Sequence, residues 1–118
     1  MKWIHYQKLI VWQKAMDMVQ EVYRLTKLLP TDERYSLTDQ LRRAAVSVPS
    51  NIAEGQGRQH EKEYRQFLSI AKGSVCEVET QLIICVRIEY LKTDQIDNAL
   101  ALCEEISKML TVMINKHD

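Results

Sequence analysis

The sequence predicts an all-α protein, an up-down-up-down antiparallel four-helix bundle in which residues 1–118 form a single domain. Three observations predict it. Apolar residues recur at alternating steps of three and four along four successive stretches, and nowhere in the period of two that a half-buried strand needs. With Gly 3 and Pro 2 in 118 residues there is little material for turns, so the elements are few and long. The connections between the stretches are short, which makes neighbours in sequence antiparallel neighbours in space, crossing at about +20°.

The first helix is expected at 8–29. Its stripe is Leu9, Trp12, Met16, Val19, Tyr23 and Thr26, widened by Leu25 and Leu29. Pro30 ends it, because the residue before a proline avoids the helical region. The second is expected at 36–55. Ser36 to Asp39 reads as a capping box with Asp39 reaching back, and Gly55 or Gly57 suits a left-handed cap. The third, at 60–90, carries Tyr64, Leu68, Ala71, Val75, Val78, Leu82 and Cys85, with Glu61 and Glu63 at the positive end of its dipole. Gln59 and His60 stand where a Ser or Thr cap is expected, so that cap is weak. The fourth, at 94–116, carries Ile96, Ala99, Leu100, Cys103, Ile106, Leu110 and Met113.

Composition excludes several classes. A chain that is 46% hydrophobic and 27% charged is not disordered, and with a formal net charge of zero the chain as a whole is no polyanion binder by composition. The charge is uneven: residues 34–72 hold seven basic and four acidic side chains, and residues 73–118 hold four and eight. Three cysteines, Cys76, Cys85 and Cys103, lack framework spacing and read as free buried thiols in a reducing cytoplasm. The first residues show no signal-peptide pattern. The longest apolar run, Leu82 to Val86, is far too short for a membrane span.

The second helix carries the functional information. Around its axis Leu37, Leu41, Ala44, Ala45, Val48 and Ile52 share one arc, a core stripe. Gln40, Arg43, Ser47, Ser50, Asn51, Glu54 and Arg58 share the opposite arc, a ladder of donors and acceptors rather than a row of like charges. Arg42, Val46, Pro49 and Ala53 lie on one flank. That flank is small and apolar at Val46, Pro49 and Ala53, and suits close subunit packing. A proline inside a helix costs roughly 3 kcal/mol or more, so Pro49 needs a reason, either such packing or a kink that wraps the helix round the core.

Catalytic constellations are missing. No Glu-x-x-His, His-x-x-x-His or Cys-x-x-Cys offers metal ligands, and no Gly-x-Ser-x-Gly offers a nucleophile. Gly55-x-Gly57 lacks a third glycine and follows a helix, so it is no dinucleotide loop. His60 and His117 lack the partners of a catalyst, and His60 reads as an exposed helix-start residue. Trp3 and Trp12 read as core or interface anchors, and Glu77, Glu79 and Glu89 as a solvated or intersubunit face. No enzyme activity and no cofactor are expected.

Several runs appear in order: Leu9-Ile-Val-Trp12, Tyr35-x-Leu37-x-x-Gln40-Leu-Arg42-Arg43-Ala44-Ala45, Ser47-Val-Pro-x-Asn51-Ile-Ala-Glu54-Gly55-x-Gly57-Arg58 and Phe67-Leu-x-Ile-Ala71-x-Gly73-Ser74-x-x-Glu77. Together they resemble the bacterial four-helix-bundle proteins related to the 23S rRNA intervening-sequence protein. The resemblance implies a small cytoplasmic bundle, without known enzymatic activity, that assembles as a closed homopentamer with a central channel. It also implies a link to the accessory proteins of diversity-generating retroelements, which bind a reverse transcriptase and nucleic acid. Those relatives are strongly basic and this chain is neutral. Two expectations follow. In one, Gln40, Arg42, Arg43, Asn51, Glu54, Arg58, Lys62 and Arg65 contact structured RNA or DNA, with a pentamer gathering the basic middle into an annulus. In the other, the same arc is only a subunit interface of a scaffold, with Arg43 pairing Glu54 or Glu77 of a neighbour.

Overall fold

The computed structural model describes residues 5–116; Trp3 and His117, and the ends of the 1–118 domain, lie outside the described residues. Four α-helices and two short 3-10 turns, His5–Lys8 and Thr31–Glu33, make up its regular structure, and no strand occurs among the described residues. The helices are α1 (Ile10–Thr26), α2 (Leu37–Gln56), α3 (Glu61–Arg87) and α4 (Thr93–Lys116). Each packs on two others, α1 on α2, α2 on α3, α3 on α4 and α4 on α1, around one core.

Three stripes fill the core as the spacing predicts, except that Tyr64 on α3 and Leu100 and Met113 on α4 are half-buried against its margin. On α2, Leu41, Ala44, Ala45, Val48 and Ile52 are buried, with Leu37 half-buried at the start. On α3 the buried set is Leu68, Ala71, Ser74, Val75, Val78, Leu82 and Cys85, and on α4 it is Ile96, Ala99, Cys103, Ile106 and Leu110. The stripe on α1 differs. Val11, Ala15, Met18, Val22, Leu25 and Thr26 are buried, while Met16 and Tyr23 are exposed and Leu9, Trp12 and Val19 are half-buried. Two apolar stripes run side by side along this helix, one residue or 100° apart, and both satisfy three-four spacing. The seam takes the compact aliphatic set. The set with the large ring systems of Trp12 and Tyr23 is turned outward.

The ends of the helices correct several sequence expectations. The capping box at Ser36 does not form: the Ser36 hydroxyl instead donates to Glu33 Oε1 at 2.6 Å, and Asp39 accepts from Arg43. Glu33 takes over the capping role, accepting weakly from the Leu37 N–H at 3.4 Å and firmly from the Tyr90 hydroxyl at 2.7 Å. The Ser36 bond, then the Tyr90 bond, hold its carboxyl below the ordinary carboxylate value. Neither Gly55 nor Gly57 is left-handed; Gly57 has φ −80° and closes α2 by ordinary right-handed turns. α1 stops at Thr26 rather than 29, because Leu28 and Leu29 tighten into bonds to carbonyls three residues back. α3 stops at Arg87 rather than 90. Beyond it Glu89 takes φ 69°, Tyr90 N–H donates to Cys85 O at 2.8 Å and Glu89 N–H to Val86 O at 3.0 Å. That pair of bonds is a Schellman closure, with glutamate where glycine is favoured.

A left-handed backbone costs a non-glycine residue about 1–2 kcal/mol. Replacing Glu89→Gly removes that strain, partly offset by the extra entropy of an unfolded glycine. A urea titration should show the variant more stable by up to about 1 kcal/mol, with an unchanged slope.

Candidate functional site

The polar arc of α2 divides in two when placed on the fold. Its middle is absorbed into the seam with α3. Ser47 and Ser74 share a hydrogen bond at 2.9 Å, and Asn51 Nδ2 donates to Ser47 Oγ at 2.9 Å and to Ser47 O at 2.7 Å. Because Asn51 donates to Ser47, these bonds position hydroxyls rather than reach solvent. The remaining members, Gln40, Arg43, Ser50, Glu54 and Arg58, are exposed.

The arginines of the site are not open cations. Arg43 Nε lies 3.0 Å from Asp39, one turn away on its own helix. Arg58 reaches Glu54 at 3.4 Å and Glu63 at 3.6 Å, and its guanidinium rests 4.9 Å from the centre of the Phe67 ring. Arg42 Nε donates to Thr26 Oγ1 at 2.9 Å and its guanidinium sits 4.6 Å over the Tyr23 ring, so it ties α2 to α1. Glu54 is thus engaged within its own chain. At the start of α3, Lys62 is exposed and Arg65 half-buried; His60 is exposed and makes no side-chain cap.

The flank holding Val46, Pro49 and Ala53 faces α1. Pro49 is buried inside an unbroken α2, while Val46 remains 40% exposed and Ala53 half-buried. With Ser50 they line one wall of a 340 Å³ groove, and Tyr6, Trp12, Met16 and Val19 line the other. Tyr6 and Trp12 are stacked at a tilt, centroids 5.5 Å apart. The outward stripe of α1 and the flank of α2 therefore form one apolar surface.

Residues 7–112 match the family described as 23S rRNA-intervening sequence protein. The chain belongs to that family. A crystal structure of a protein of unknown function from the S23 ribosomal protein family of Bacteroides thetaiotaomicron VPI-5482 is similar, at 25% identity and TM-score 0.82 over 89% of this chain and 98% of that one. No curated protein matches the chain. In this 23S rRNA-intervening sequence family member no helix among the described residues is long and apolar enough to cross a membrane. No group of three metal-ligating side chains occurs among them.

Cys76 is exposed whereas Cys85 and Cys103 are buried, so only two of the three cysteines match the expectation of buried thiols. Desolvation pushes the thiols of Cys85 to about 11 and Cys103 to about 12. Burial raises the Glu79 carboxyl too, with Glu104 opposite adding to it.

The role of Gly55 was legible only as a turn residue, and the structure gives it another. It is buried within α2, and a Cβ there would lie 2.9 Å from Tyr64 Cδ1 and 3.0 Å from Phe67 Cβ. Gly55 is thus what lets α3 approach α2 before their connection. Gly55→Ala should destabilise the protein by roughly 1–3 kcal/mol through overpacking, read as a lower urea midpoint.

Proposed function

We propose that this protein is a non-enzymatic module, an up-down-up-down bundle that assembles with copies of itself into a homopentameric ring. The observation that carries this reading is the second apolar stripe of α1. Trp12, Met16 and Val19, left outside the core, are continuous with Val46, Pro49 and Ala53 in one groove. Exposed Ile83, Ile84 and Ile88 add apolar side chains at the C-terminal end of α3 and just beyond it. Contiguous exposed apolar patches mark interaction sites, and a ring needs two unlike patches that mate head to tail. Side-chain pairings support the helix order: Lys14 with Glu105, Ile10 beside Val112, Ser47 with Ser74 and Gln56 with Tyr64 all pair rising numbers with falling ones. The neutralised arginines of α2 favour a scaffold over a phosphate clamp.

A second reading, binding of structured RNA, rests on the corner between α2 and α3. Lys62 there carries no ion pair among the described residues, beside Arg58 and Arg65. Fivefold repetition would gather those cations.

Light scattering of the untagged protein should give the mass of a pentamer. Met16→Glu combined with Val46→Glu should give a folded monomer, with helical circular dichroism retained. A wild-type monomer at tens of micromolar would sink the assembly reading. RNA binding should appear at low salt and fall steeply as salt rises; its absence at low salt would sink the second reading alone.

A further inference from the structure

We propose that the apolar groove between the start of α1 and the end of α4 is a docking site for an acidic amphipathic helix of a partner protein. The groove measures 490 Å³. Leu9, Ile10 and Val11 line it on one side and Met109, Val112 and Met113 on the other, and Lys8 and Lys108 complete the lining. Ile10 is 62% exposed and Val112 67%, so the two helices leave this seam open. It is separate from the surface proposed for assembly, because Ile10 lies about 160° round α1 from Trp12.

The lining decides what binds there. Apart from the two lysines it holds no polar side chain, so a base, a sugar or any ligand that needs acceptors finds none. An extended peptide would bury backbone N–H groups against it unpaired. A helix satisfies its own backbone before it docks, and asks only for apolar contact with anchors at i and i+3 or i+4. The α4 side has that spacing itself, in Met109, Val112 and Met113. An open seam between two helices seats a third by the same ridge-into-groove packing. The flexible thioether side chains of both methionines shape themselves to such anchors. A single acyl chain fits less well: small-molecule sites enclose roughly 70–90% of what they bind, and this seam is open along Ile10 and Val112.

The rim sets the sign of the partner. Lys8 is exposed and has no ion pair among the described residues. Lys116, exposed on α4 two turns beyond Met109 and on the same line of the helix, has none among them either. Lys108 is held by Glu104 at 3.1 Å, and Glu105 is engaged by Lys14 at 2.6 Å. No acidic side chain lines the groove. Three lysines against Glu104 alone leave its rim positive, although the chain as a whole is neutral. Carboxylates flanking the anchors of a docked helix complement that rim, and lysines in their place are repelled.

The full chain, carrying ¹³C-methyl methionine, should be titrated with a capped amphipathic peptide bearing leucines at i, i+3, i+4 and i+7 with glutamates flanking them. The Met109 and Met113 methyls should shift, while Met16 in the assembly groove and Met18 in the core stay fixed. The same peptide with lysine for glutamate should bind at least tenfold more weakly, and raised salt should weaken the acidic one. Val112→Asp should abolish binding, with circular dichroism and light-scattering mass unchanged. Lys8→Glu combined with Lys116→Glu should invert the preference toward the lysine peptide, which loss of folding cannot produce. No shift at Met109 or Met113 with the acidic peptide overturns the proposal, as does equal binding of the two peptides. A response to oleate without one to the peptide overturns it in favour of a lipid. Loss of the assembled mass in Val112→Asp overturns it in favour of a contact between copies. Nuclear Overhauser contacts from the Trp3 ring to the Met109 and Met113 methyls in the free protein overturn it in favour of the chain's own first residues.

Discussion

The close approach of α3 to α2 is the constraint on which the rest of the structure depends. Gly55 lets the Tyr64 and Phe67 side chains press against the α2 backbone, and Ser47 with Ser74 fixes the register farther along. Once those two helices are set, Ala44, Ala45 and Val48 meet Ala71, Val75 and Val78 in the seam, and α1 and α4 close the other sides. A polar cleft between α2 and α3 is a product of the same register. Small side chains at Ser47 and Ser74 leave room between the helices, and the longer ones at Arg43, Glu77 and Gln81 wall it.

Pro49 belongs to the opposite side of α2, against α1. It removes a backbone donor from the helix, a loss that burial of its ring on the side facing α1 offsets. Arg42 then bridges the same pair of helices, with its guanidinium over Tyr23 and on Thr26. One face of α2 therefore closes the protomer through α1, and the adjoining surface is left apolar and open.

Much of the fold was legible because burial follows spacing. The stripes of α2, α3 and α4 needed no more than their three-four recurrence. α1 was misread because two stripes satisfy the same rule, and periodicity alone cannot choose between sets 100° apart. The cap at Ser36 failed for a different reason: Glu33, outside the helix, competes for the same hydroxyl, and a tertiary bond from Tyr90 holds it there. Gly55 showed its flexibility in the sequence but not its contact, since only the packed helix reveals what its missing Cβ would meet. The polar arc was visible as an arc. Its division into Ser47 and Asn51, drawn into the seam, and an exposed remainder depends on α3, which no projection of α2 contains.

The hydroxyl of Tyr90 on Glu33 joins two connections, residues 27–36 and residues 88–92, at one end of the bundle. That one bond spans 57 residues of sequence. Neither connection can fray without breaking its tie to the other, so the amides of the two should open and exchange as one unit.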